Sequence, residues 1–131
     1  MLRRVTPSLL LATALMTLAA CRPGAVRRPS LVTPVNVALG DSLFNNGNCQ
    51  RCHGKGGIGA ANAPTLDGKK WLQLKSGSYE EIVTIVTEGV PQAAIKDASH
   101  RFAMRPRGGN MNLTDPQVQA VAAYVWTLTH K

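Results

Sequence analysis

Apolar positions are unevenly distributed along the chain. Leu9 to Ala20 is a nearly continuous apolar run. From about Val37 to Asn46 the spacing predicts a helix, with Val37, Gly40 and Phe44 near one face. A second helix is expected from Ser78, where Ile82, Val83, Ile85 and Val86 supply the apolar face. Ser78-Tyr79-Glu80-Glu81 is a capping-box pattern, Gly89 ends the helix, and Pro91 bars its continuation. A third helix is expected from Thr114. Asp115 and Pro116 suit its first turn, Gln117 completes another capping box, and Val118, Val121, Ala122, Val125 and Leu128 line its apolar side. A turn over 70–74 is a candidate fourth helix. No convincing strand pair is visible, so the fold class is all-α, with three to four helices.

Two stretches rich in Gly, Pro and Asn, 54–69 and 90–113, separate these helices. Loops this long in so small a domain are functional or need a surface to pack on. A domain of about 90–100 residues also buries a smaller fraction of its surface than a large one, so a prosthetic group in its core would help it fold.

The N-terminal run changes the picture of where the chain works. Arg3 and Arg4 precede it and small residues end it, so residues 1–20 read as a signal peptide. The run is too short to span a bilayer comfortably. Leu18-Ala19-Ala20-Cys21 resembles the lipobox of bacterial lipoproteins, which implies cleavage before Cys21 and lipid on its thiol. Two or more acyl chains anchor a protein stably, where one does not. Residues 21–36 hold Pro23, Pro29 and Pro34 without helical periodicity and read as the lipidated cysteine and a flexible tether. The folded domain is then 37–131. The expected location is the periplasmic side of a membrane, inner or outer.

The formal charge of the 131-residue chain is +8. Basic residues are scattered and aromatics sparse, which argues against nucleic acid as a partner. An acidic protein face or an anionic membrane fits the charge better. Three cysteines, an odd number for an exported chain, call for chemistry other than disulfides.

Cys49-Gln50-Arg51-Cys52-His53 supplies that chemistry. Cys-x-x-Cys-His is the attachment signature of a c-type haem. The thiols of Cys49 and Cys52 lie one helical turn apart and can both reach the vinyl groups of one porphyrin. His53 then falls beneath the ring as an axial ligand. A structural zinc site needs four ligands, one more than this motif offers. A redox-active cysteine pair wants a thioredoxin-like βαβ pattern, which is absent.

Methionine is the usual second axial ligand. Past the apolar run only Met104 and Met111 remain. Met104, within a loop that could wrap the ring, is preferred. Met111 is the fallback, because it sits so close to the Thr114 cap. His100 is an outside candidate, and His130 reads as a frayed, solvated terminus.

With these residues in place, positions 37–129 resemble the class I cytochrome c fold, and within it the small monohaem bacterial cytochromes of c5/c555-like and oxidase-subunit types. Gly40 and Phe44 look like the small-plus-aromatic pair of the family's N-terminal helix, and Val121, Tyr124 and Val125 like the facing side of its C-terminal helix. Ala63-Pro64-Thr65-Leu66 resembles the segment whose proline carbonyl accepts the proximal histidine N–H, so the resemblance makes Pro64 the residue that orients His53. Ala103-Met104-Arg105-Pro106-Arg107-Gly108-Gly109 resembles the methionine loop, with Arg105 in place of a proline. Trp71 is a candidate haem contact.

The resemblance implies one covalent haem c and an electron carrier, not an enzyme. Lys55, Lys69, Lys70, Arg101, Arg105 and Arg107 are expected to frame the haem and meet redox partners through an acidic docking face. The competing readings are a haem sensor or catalyst whose methionine is displaced by a small molecule, and a tethered subunit of a respiratory or dehydrogenase complex.

Overall fold

A computed structural model describes residues 26–131; the expected signal peptide (1–20) and Cys21 lie outside the described residues. The helices are α1 (Pro34–Asn46), α2 (Cys49–His53), α3 (Tyr79–Glu88) and α4 (Asp115–Thr129), with 3-10 turns at Lys55–Gly57, Gln92–Ala94 and Pro106–Met111. Among the described residues there are no strands. The β-type pairings are the isolated bridges Ala60–Ala63 and Val90–Met104.

Helix α1 starts three residues earlier than the apolar spacing suggests. Thr33 is its N-cap, accepting from the Asn36 N–H at 3.2 Å, and Pro34 occupies the first turn. Proline suits that position because its missing N–H has no partner in the first turn anyway. The fourth helix also lies elsewhere than expected. Residues 70–74 bend without forming one, and Cys49–His53 is helical instead. Trp71, Leu72, Gln73 and Leu74 all line a single cavity. A helix would have sent four consecutive side chains in different directions.

α1 and α4 cross closely at Gly40. A Cβ on Gly40 would collide with the Ala120 carbonyl and with the Cβ of Tyr124. Phe44 lies beside this crossing, its ring centroid 5.4 Å from that of Tyr124. Asn45 ties three segments together. Its Nδ2 donates to the Tyr124 hydroxyl at 3.0 Å, and its Oδ1 accepts from the Gly56 N–H at 2.7 Å. Against this pair packs α3, through Tyr79, Ile82 and Val86. Residues 120–126 of α4 are all buried.

The caps differ in detail. Gln117 Oε1 accepts from the Thr114 N–H at 3.0 Å, as a capping box requires. At α3 only half of the box forms: Ser78 Oγ accepts from the Glu81 N–H, but Glu81 turns to the preceding loop. Its carboxylate accepts from the N–H groups of Lys75, Ser76 and Gly77. At the C-terminus His130 is no frayed end. Its ring stacks on Trp126 with centroids 4.1 Å apart, and its Nδ1 lies 3.0 Å from the Trp126 carbonyl.

Candidate functional site: a cavity behind the Cys-x-x-Cys-His helix

α2 is short because glycines bracket it. Gly47 precedes it, and Gly54, at φ 74°, turns the chain away. A side chain on Gly47 would collide with Met111, and one on Gly54 with the Gly59 carbonyl. The helix forms one wall of a cavity of about 440 Å³ lined by Cys49, Cys52, His53, Pro64, Trp71 and Met104 among others. Apolar side chains of α3 and α4, including Ile82, Val86 and Val125, complete it.

The two cysteines are half-buried free thiols. Burial pushes the Cys49 thiol up, so it stays neutral. His53 Nδ1 lies 3.1 Å from the Pro64 carbonyl oxygen. A carbonyl can only accept, so Nδ1 must carry the proton and Nε2 keeps a free lone pair. Burial is the largest influence on His53 and lowers its pKa, outweighing the Pro64 hydrogen bond that raises it. The ring is therefore neutral, the form in which imidazole binds a metal.

Met104 is held by its backbone. The Val90 N–H donates to the Met104 carbonyl at 2.8 Å, and the Met104 N–H donates to the Val90 carbonyl at 3.0 Å. Gly89, at φ 73°, permits this approach, since a side chain there would strike the Met104 carbonyl and Pro106. Met111 lies outside the cavity. Its Sδ accepts from the Asn48 N–H at 3.1 Å, in a packing fitted to Gly47. Trp71 lies against Gly77, where its indole fills the space a Cβ would need. His100 also lines the cavity, its backbone N–H bonded to the Asp97 carbonyl at 3.0 Å.

The loop that follows Met104 is pinned at several points. Arg107, a non-glycine residue at φ 51°, donates from Nη1 to the Leu113 carbonyl at 2.9 Å and from Nη2 to Asp115 Oδ1 at 2.7 Å. Asn48 Nδ2 donates to the Gly108 carbonyl at 3.1 Å and so joins the start of the cysteine motif to that loop. Two of the basic residues expected to frame the site have acidic partners: Arg107 with Asp115, and Lys69 with Asp67 at 3.3 Å. Lys55, Lys70, Arg101 and Arg105 are exposed. Asn45 and Asn48 carry structural links that no sequence pattern marks.

Residues 37–129 match the family model described as Cytochrome c. The chain belongs to the cytochrome c family. It is a haem electron-transfer domain, and its cofactor is covalently bound haem c. The residues present fit that group: two cysteine side chains one turn apart, a neutral imidazole with its Nε2 lone pair free, and a thioether, all lining one largely apolar cavity.

This cytochrome c is 39% identical over 93 residues to a Cbb3-type cytochrome c oxidase subunit FixP of Sinorhizobium medicae, covering 71% of this chain and 30% of the relative. It is 35% identical over 95 residues to the FixPc subunit of Rhizobium leguminosarum bv. viciae, covering 72% of this chain and 31% of that one. The chain thus spans less than a third of the length of these curated relatives. Among solved structures, cytochrome cL of Methylophaga aminisulfidivorans matches with a TM-score of 0.55 at 21% identity, covering 72% of this chain and 54% of the other. That likeness establishes the fold. Among the described residues no helix is long and apolar enough to cross a membrane.

Proposed function

We propose that the protein is a lipid-tethered electron carrier, not itself an enzyme, whose haem is attached through Cys49 and Cys52 and whose iron is held by His53 and Met104. The observation that carries this reading is the shared cavity, in which the His53 tautomer is set by the Pro64 carbonyl and the Met104 backbone is pinned to Val90. Bound haem supplies a one-electron couple. The chain's own residues exclude water from it, orient the imidazole and keep the thioether close. With His53 and Met104 both holding the iron, no position would remain for a substrate, which favours outer-sphere transfer over gas sensing. Met111 is the weaker candidate, because its sulfur already accepts a hydrogen bond outside the cavity. The lipid tether rests on the Leu18–Cys21 pattern and sets the expected location on the periplasmic side of a membrane.

The test is a redox-titrated visible and near-infrared spectrum of wild type and Met104→Ala. The methionine–ferric haem band should vanish in the variant, and the potential should fall. Survival of the band would transfer the role to Met111. A spectral change of the reduced wild type on adding CO would favour the sensor reading.

A second reading is a subunit tethered within an oxidase complex. It is favoured by the relatives, which are named as Cbb3-type oxidase subunits. Co-purification with a larger complex in mild detergent distinguishes it from a free carrier.

A further inference from the structure

Helix α1 is apolar on both sides. Its inner side, Gly40 and Phe44, is buried against α4. At 100° per residue, Val35, Leu39, Ser42 and Asn46 fall on the opposite line. Val35 is 76% exposed and Leu39 is 42% exposed, and Leu31, just before the cap, is 40% exposed. Asp41, the lone charge of α1, sits on the flank of this line, not on it. The outward face therefore grades from apolar at the N-terminal end to uncharged polar toward the cysteine motif. Nothing among the described residues covers it.

Charge and reach indicate what does. No acidic residue precedes Asp41 anywhere in the chain, whereas Arg22, Arg27 and Arg28 lead directly into the apolar ridge. Leu31 lies ten positions after Cys21, a span of at most about 35 Å when fully extended. A lipid on Cys21 would therefore keep the ridge close to the bilayer. Apolar side chains flanked by arginines are the composition that settles into an anionic lipid interface. A second copy fits less well, since the arginines of two copies would be brought together.

We propose that the outward face of the N-terminal half of α1, with Arg27 and Arg28, rests on an anionic lipid surface and orients the domain on it. This deepens the reading of Cys21 as a lipid anchor and rests on it. The consequence is geometric. The tether by itself limits only how far the domain strays from the bilayer, whereas contact through Val35 and Leu39 also fixes which side of α1 faces it.

The experiment uses the lipidated holoprotein on vesicles of phosphatidylglycerol and phosphatidylethanolamine. Nitroxide labels are placed at Val35→Cys or Leu39→Cys, with Lys96→Cys as an exposed control. The haem cysteines, being thioethers, do not react. Collision with a water-soluble nickel chelate should be reduced several-fold at positions 35 and 39 relative to 96. Adding Arg27→Glu and Arg28→Glu should restore access while the protein still sediments with the vesicles. Equal access at all three positions on sedimented vesicles would overturn the proposal and leave the anchor standing. Failure to sediment would remove the anchor and the proposal together. Protection that grows with protein density at constant lipid would assign the face to a second copy and overturn the proposal.

Discussion

Gly40 illustrates how much one residue can decide. Its missing side chain lets the backbones of α1 and α4 touch, with the Ala120 carbonyl where a Cβ would be. Gly40→Ala should push the helices apart and cost about 1–3 kcal/mol, the usual penalty for overpacking a tight core. Thermal unfolding of the holoprotein measures this. An unchanged melting temperature would mean that the crossing is looser than its geometry. The importance of Gly40 was visible in the sequence through the resemblance of Gly40 and Phe44 to the small-plus-aromatic pair of the family. Its contact with Ala120 was not, because a plain alanine on an apolar helix carries no mark of what it touches. Arg107 shows the reverse error. Its charge suggested a surface that meets partners, yet the guanidinium is bound to the Leu113 carbonyl and Asp115.

Among the elements, the ends of helices were more legible than their neighbours. Ser78 and Thr114 were readable as caps because the residues that satisfy free N–H groups lie within one turn of them. Glu81 was read as the reciprocal partner of Ser78, and it instead gathers the loop before α3. Three backbone N–H groups converge on its carboxylate and hold its pKa down to about 2, with the hydrogen bond from Ser76 the largest cause. A carboxyl whose pKa is depressed in the folded state stabilises it above the unfolded pKa, and that contribution fades as pH falls toward the folded one. Glu81→Gln should therefore be less stable than wild type at pH 7. The difference should shrink as pH falls from about 4.5 toward 2. Chemical denaturation across that range checks it, and a pH-independent difference would contradict it. The turn over 70–74 was misread because its apolar residues follow the shape of the cavity, not a helical period.

For the whole molecule, the relevant feature is where charge lies around the cavity. Arg51 and Arg105 line it and are exposed, and Lys55, Lys70 and Arg101 are exposed nearby in the chain. Complementary charge mainly raises the encounter rate. Reduction of the holoprotein by an acidic redox partner should slow as ionic strength rises from 10 mM to 500 mM, since the Debye length falls from about 30 Å to a few ångströms over that range. Rates that do not fall would exclude an acidic docking face. Lys55→Glu with Arg101→Glu should weaken the salt dependence without moving the visible spectrum, because neither residue lines the cavity. Loss of haem acts at this scale too. The loops on either side of α3 close over the cavity, and without haem they would keep the hydrogen bonds of Glu81, Val90 and Arg107 but lose the surface they pack on.

By itself the sequence determined the chemistry and the fold class. The Cys49-to-His53 pattern was readable as a covalent haem motif because attachment depends on local spacing along one helical turn, and the helices follow from periodicity and caps that are equally local. Only the tertiary structure decided which side chains share the cavity. Met104 and Met111 are seven residues apart and chemically identical, yet a bridge to Val90 brings one to the cavity and the Asn48 N–H holds the other outside it. The outer face of α1 belongs to the same class of fact. Its period could be read from the chain, but which side remains uncovered depends on where α4 packs, and that is set by contacts distant in sequence.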